Sequence, residues 1–173
     1  MRKSTCLAAT LAFAATLAAS ASAEKYSARA TMSGIGPIRI GMSERQLEDA
    51  LDTRLPETQD PSEDSCRYIE AGPKWPGTAV MLLDGRVARV DVTRRGIETL
   101  SGAAVGDLVS KVHGIYGRRL RVSDHDFGAG DSQYLTMFSS DRSLGIRFET
   151  DGERVTSYYV GTARAVQFPE GCL

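Results

Sequence analysis

Apolar residues fall at helical spacing in two places along the chain and alternate with polar ones through several short runs. The first helical stretch begins after Ser43, an N-cap residue with Gln46 three positions on to complete a capping box, while Met42 and Leu47 stand where a hydrophobic staple forms. Leu47, Ala50 and Leu51 then share one face, and Glu44, Arg45, Glu48 and Asp49 take the other. Pro56 and the polar run from Glu57 to Ser65 close this element and form a loop. The second stretch places Leu108, Val112, Ile115 and Tyr116 on one stripe, with Asp107 as the better cap and Gly117 as the stop. Gly114 inside it costs about 1 kcal/mol relative to Ala and predicts a weak last turn.

Strand patterns follow each helix. Cys66 to Ala71 is a short candidate, broken by Gly72-Pro73 and Trp75-Pro76-Gly77. Thr78 to Leu83 and Arg86 to Thr93 predict a hairpin across Asp84-Gly85, a dipeptide suited to a type I′ turn. Ala88, Val90 and Val92 alternate with Val87, Arg89 and Asp91, which predicts one buried and one wet face. Three more strands are expected at Gln133 to Ser139, Leu144 to Thr150 and Arg154 to Val160. In the last of them Val155, Ser157 and Tyr159 oppose Thr156, Tyr158 and Val160.

The two stretches echo each other. Gly41 and Gly106 precede the two helices 65 positions apart, and the Asp-Gly turns at Gly85 and Gly152 come 67 apart. This spacing points to a duplicated unit of one helix and three strands, with chance recurrence of Gly and Asp-Gly as the alternative. A three-stranded sheet with one apolar face needs a helix laid over it, and units of this size are marginal alone. The expected fold is therefore α+β, two helix-plus-three-stranded antiparallel units packed as a pseudo-duplicated two-layer domain with about six strands. Residues 24–98 form the first unit with its N-terminal segment, and 99–173 form the second with its tail. Whether the halves share one continuous sheet is not decided by the pattern.

The first 23 residues lie outside this scheme. Arg2 and Lys3 precede the apolar run 7–19, and Ala21-Ser22-Ala23 is an A-x-A site, so residues 1–23 are expected to be a signal peptide cleaved before Glu24. An uncleaved signal anchor is the alternative, disfavoured by a short, Ala-rich run. The full chain has 21 Lys and Arg against 22 Asp and Glu, a net charge of −1. Cleavage removes two cations and no acid, which argues against nucleic acid as a partner. No later run is long enough for a permanent membrane span. Cys6 leaves with the leader and precedes the apolar run, so it is not a lipid-attachment site. Cys66 and Cys172 remain, in a periplasmic or secreted setting where disulfides persist. They are expected to pair within the chain rather than stay free or bridge two chains. Closing so long a loop is worth nominally about 4–5 kcal/mol.

The motif Gly36-Pro37-Ile38-Arg39-Ile40-Gly41-Met42-Ser43, with Leu47 and Leu51, then three strands, resembles the small domain of the SmpA/OmlA outer-membrane-assembly lipoprotein family. The tandem arrangement is similar to the beta-lactamase inhibitory protein family. With Val105-Gly106-Asp107, Tyr116-Gly117 and Gln167-Phe168-Pro169-Glu170-Gly171-Cys172, the whole mature chain resembles a broad group of uncharacterised bacterial secreted proteins. The resemblance implies a helix-plus-sheet fold and action by protein contact, in assembly or inhibition, without a cofactor. The chain departs from the first family in lacking a lipid-attachment Cys before the domain, and from the second in having one possible mature disulfide.

Local chemistry is sparse. Asp124-His125-Asp126 with Asp131 is the densest group of ligand types, but its spacing fits neither H-E-x-x-H nor an EF-hand loop, and a solvated loop is the expectation. His113 sits on the second helix beside its apolar stripe. No G-x-S-x-G motif is present, and no catalytic, metal or cofactor residue is assigned. Arg94 and Arg95, with Arg118, Arg119 and Arg121, could give a positive edge, with ordinary solvated loop charge as the alternative. Tyr158, Tyr159 and Trp75 are aromatic candidates for contact, with core or sheet packing without a partner as the alternative. The residues Gly41, Ser43, Gly85, Gly106 and Gly152 are read as structural. The expected function is a secreted or periplasmic non-enzymatic protein-binding or envelope-assembly module. Two alternatives stand beside it: a small hydrolase whose site forms only in three dimensions, and a structural envelope protein without a discrete ligand. The partner would be an envelope protein or other macromolecule, and the oligomeric state is not set by the sequence.

Overall fold

The structure is a computed structural model that describes residues 29–56 and 65–172. The predicted leader, residues 1–23, and residues 57–64 of the predicted polar loop lie outside the described residues. The chain is α+β. In order it forms β1 (Arg29–Thr31), β2 (Gly34–Ile35), β3 (Ile38–Arg39), α1 (Glu44–Leu51), β4 (Cys66–Glu70), β5 (Thr78–Leu83), β6 (Arg86–Val92) and β7 (Glu98–Thr99). Then come α2 (Val109–Tyr116), β8 (Arg121–Asp124), β9 (Gln133–Phe138), β10 (Leu144–Thr150) and β11 (Val155–Thr162), with 3-10 turns at Gly117–Arg119 and Ala165–Gln167.

Seven strands make one sheet in the order β4-β5-β6-β11-β10-β9-β8, and β3-β2-β1-β7 make a smaller one. The large sheet is antiparallel throughout. It is continuous across the middle because β6 pairs with β11, Val90 opposite Val160 and Val92 opposite Tyr158. Two features were not legible in the pattern. β8 adds a fourth strand to the second half, and all four of its residues are exposed, so it carries no hydrophobic alternation. The small sheet is built from two- and three-residue strands, too short for any periodicity to register.

Both helices and the small sheet cover the same face of the large sheet. Leu47, Leu51, Val112 and Tyr116 meet Val80, Leu82, Val90, Leu135, Phe148 and Tyr158, joined by Ala30, Ile35 and Ile38 from the small sheet. Full burial of one such large side chain contributes about 1.5–3 kcal/mol. Ser43 accepts from the Gln46 amide while the Gln46 side chain accepts from the Ser43 N–H, completing the capping box. At α2 the expectation fails. The helix starts at Val109 behind Leu108, which has no capping group, because Asp107 turns its carboxylate back to the Ala104 N–H at 2.8 Å and to Lys111 at 2.8 Å.

The Asp84-Gly85 turn has both residues at left-handed φ, 49° and 69°, as type I′ geometry requires. Just beyond it the register shifts: Leu82 pairs with Val87 and Met81 with Arg89, leaving Ala88 as the extra residue of a bulge. Val87 therefore joins Val90 and Val92 in the core, while Ala88 goes to the opposite face, against the simple alternation. β11 does the same, with Thr150 opposite Val155 and Glu149 opposite Ser157, so Val155 shares the core with Tyr158 and Val160.

The outer face is not wet either. The C-terminal tail crosses it, with Ala165 and Val166 fully buried, and the Cys66–Cys172 disulfide holds the tail end at a Cα–Cα distance of 5.4 Å. A glycine makes room for it. A Cβ on Gly145 would stand 2.9 Å from Val166 Cγ2 of the tail, while one on Gly161 would stand 2.4 Å from the Ala88 carbonyl oxygen, so that glycine serves the close approach of β11 to β6. Beneath the tail, Arg89 uses all five of its N–H donors. Nε and Nη2 reach Asp91 at 2.8 and 2.9 Å, Nη2 also reaches Tyr68 at 2.5 Å, and Nη1 reaches the carbonyls of Ala165 and Phe168 at 3.1 and 2.7 Å. Burial pushes the Asp91 carboxyl up, opposed by the Arg89 charge.

Candidate functional site

A concavity lies where the small sheet meets the loops that precede β5 and follow β6. It is a groove of about 1110 Å³. Its apolar surfaces come from Pro37, Trp75, Pro76 and Ile97, and its cations are Arg29, Arg39, Lys74 and Arg95. No Asp, Glu, His or Cys is among the lining residues.

The local sequence explains the shape. Gly72-Pro73-Lys74-Trp75 forms a turn closed by the Trp75 N–H on the Gly72 carbonyl at 2.9 Å, which projects the indole toward the β2–β3 turn. There Gly36 stands at φ 55°, and a Cβ on it would fall 2.1 Å from Trp75 Cη2, so only glycine admits the ring at this distance. Arg39 is fixed across the same turn by donating to the carbonyls of Gly36 and Ile38. Two of the cations have surface acids nearby: Arg29 lies 3.5 Å from Glu98, and Lys74 lies 3.8 Å from Asp52. All four of these side chains are substantially exposed, so the pairs bind weakly and leave the cations available.

Of the predicted contact residues, Arg95 lines this groove, its guanidinium lying over Gly106 and donating to the Gly106 carbonyl at 3.5 Å. Arg94 is exposed and lays its stem against Gly77. Arg118 and Arg119 do not line it. Arg119 instead bonds the carbonyls at the end of α2, Tyr116 at 3.3 Å and Ile115 at 3.4 Å. The two tyrosines are not exposed anchors. Tyr158 is at 0% exposure in the core, packs on Phe148 and donates to the Ile97 carbonyl at 3.1 Å. Tyr159 is 3% exposed on the outer face beneath Arg89, whose guanidinium carbon is 4.0 Å from its ring centroid. Burial raises both phenols well above their ordinary range.

The glycines take structural places. Gly41 donates to the Val87 carbonyl at 2.7 Å and Gly106 to the Val155 carbonyl at 2.8 Å, each at positive φ. Gly85 and Gly152 turn the two hairpins at φ 69° and 95°. Sequence reasoning missed Arg29, Arg39, Lys74, Pro37, Pro76 and Ile97. The available signal was Lys74-Trp75-Pro76, a cation and an aromatic held in a turn, but nothing local announces that it faces Arg39.

A catalytic reading meets a geometric obstacle. His125 Nε2 lies 3.8 Å from Glu149, and Ser157 donates to the same carboxylate at 2.8 Å. The carboxylate thus stands between serine and imidazole, whereas nucleophile activation needs the imidazole in the middle. His125 also stacks on Tyr134 with ring centroids 4.3 Å apart. Among the described residues no group of three or more His, Cys, Asp or Glu is arranged to hold a metal ion.

A structure with a similar fold is that of the uncharacterized protein yfeY from Escherichia coli, which matches with a TM-score of 0.50 at 15% identity, covering 77% of this chain and 99% of that one. At that identity the likeness speaks to fold alone. No protein family and no curated protein matches the sequence. No helix of the described residues is long and apolar enough to cross a membrane.

Proposed function

We propose that the protein is a non-enzymatic binding module of the periplasm or another secreted setting, and that its groove receives an acidic segment of another protein carrying apolar side chains. The observation that carries this reading is the groove itself: four cations around Trp75, Pro37, Pro76 and Ile97, without a carboxylate among its lining residues. Apolar contact supplies affinity there, and the cations supply orientation and approach rate. The Cys66–Cys172 disulfide and the leader-like first 23 residues support an exported location. The motif likeness to the SmpA/OmlA and beta-lactamase inhibitory protein families points the same way, toward action by contact.

The same reading takes 24–98 and 99–173 as two copies of one unit. Matched backbone bonds support it: Gly41 with Val87 and Gly106 with Val155, and in return Val87 with Met42 and Val155 with Asp107. The two arginines that follow the turns also match, Arg86 donating to the Gly41 carbonyl and Arg154 to the Gly106 carbonyl, both at 3.1 Å.

The test is photo-crosslinking in the native envelope from a reactive residue placed at position 37, compared with one at exposed position 113 on α2. Position 37 is expected to capture a discrete acidic protein. Arg39→Glu with Lys74→Glu should abolish that adduct, and Trp75→Ala should weaken binding of the captured partner by about 2 kcal/mol in protein shown to be folded. An adduct indifferent to charge reversal, or hydrolytic turnover that persists through stringent purification, overturns the reading.

A further inference from the structure

A second basic hollow, about 590 Å³ in volume, lies on the opposite, outer side of the large sheet beside the C-terminal tail. Three arginines from three separate elements enclose it: Arg121 opening β8, Arg142 in the β9–β10 turn and Arg164 just before the last 3-10 turn. Phe138 and Phe168 form its walls. The guanidinium carbons of Arg121 and Arg142 lie 5.7 and 5.8 Å from the centroid of the Phe138 ring, and that of Arg164 lies 5.5 Å from Phe168.

The cluster converges on one hollow without a counter-charge of its own. None of the three guanidinium groups has an ion pair or a hydrogen bond to a described protein group, and no acidic residue lines the hollow. Asp141 is adjacent to Arg142 in sequence but is committed elsewhere. Its carboxylate accepts from Ser139 Oγ at 2.6 Å, Ser143 Oγ at 2.8 Å and the Ser143 N–H at 3.1 Å. All three residues are exposed at the surface, unlike Arg89 and Arg147, which are buried and donate to protein acceptors. Three like charges held over aromatic rings repel one another unless an anion stands between them. Guanidinium forks match the tetrahedral oxygens of phosphate, and a dianion offsets three cations better than a single carboxylate does.

We propose that Arg121, Arg142 and Arg164 form a binding site for a phosphoryl group, supplied by a soluble phosphate ester or by an anionic lipid headgroup. The site is separate from the groove, and its occupation does not depend on the groove's partner.

Amide and aromatic NMR spectra of the oxidised protein, titrated with inorganic phosphate, with acetate, and with vesicles of phosphatidylglycerol or phosphatidylcholine, test it. Phosphate should shift the signals of Phe138, Arg142 and Phe168, and acetate at equal concentration should bind at least tenfold more weakly. Shifts or broadening with phosphatidylglycerol but not phosphatidylcholine assign a headgroup as the source, and response to phosphate alone assigns a soluble ester. Arg121→Gln with Arg164→Gln should weaken the phosphate response tenfold or more, while Arg95→Gln in the groove leaves it unchanged. Spectra of the unmodified protein that do not respond to phosphate at these residues, or a response equal for acetate, overturn the proposal without reference to any variant's folding.

Discussion

Single residues in this protein act mainly through what their neighbours allow. Asp141 illustrates this. Three donors from Ser139 and Ser143 hold its carboxyl down to about 2, below the ordinary value of 3.8. A carboxylate whose native value is depressed contributes stability that is complete above the unfolded value and lost as pH falls toward the native one. Stability should therefore fall between about pH 4 and pH 2 partly through this residue, and Asp141→Asn should make that acid slope shallower in denaturant melts across the range. An unchanged slope would show that the turn does not discriminate between the two protonation states. Arg89 is the opposite case, a residue whose donors are all engaged, so its charge belongs to the fold rather than to a ligand.

At the scale of elements, the two helices have the same length but unequal ends. Ser43 caps α1 with its side chain, whereas Leu108 occupies the cap of α2 with φ and ψ of −65° and 142° and offers the helix its carbonyl but no side-chain acceptor. Leu108 is 41% exposed, so replacing it forfeits little packing. Leu108→Ser should raise stability by about 0.5–1 kcal/mol, and Gly114→Ala by about 1 kcal/mol, since a Cβ there meets nothing within 4 Å. Thermal or urea melts of the two variants and their combination check this. Lower stability of Leu108→Ser would mean that its apolar contacts outweigh a cap.

For the whole molecule, the tail is the decisive long-range feature. The disulfide joins residues separated by 106 positions and keeps the tail over Met81, Ala88 and Arg89. Replacing both cysteines by serine should cost about 2–5 kcal/mol. Hydrogen exchange should then rise first in residues 163–172 and in β4, before the β6–β11 centre of the sheet. Uniform loss of protection would instead indicate that the tail and the sheet unfold as one unit. Arg164 and Phe168 belong to this tail, so its anchoring also sets the shape of the outer hollow.

The α+β class, α1 with its capping box and the paired strands around Asp84-Gly85 were readable from the chain, because their determinants are local: a cap, an apolar stripe, a turn dipeptide. The pairing of Cys66 with Cys172 was readable for a different reason, since assigning Cys6 to a predicted leader leaves two cysteines and few choices. Three things needed the tertiary structure. Bulges at Ala88 and Thr156 change the side-chain phase within a strand, and their cause is the pairing partner, not the strand's own sequence. Tyr158 and Tyr159 were legible as strand residues, but their burial was set by what covers each face, the helices on one and the tail on the other. The groove and the outer hollow are assembled from residues far apart in the chain, Arg39 with Lys74 and Arg95, Arg121 with Arg142 and Arg164. Periodicity reports which way a side chain points relative to its own element; only the packing of elements decides which side chains face one another.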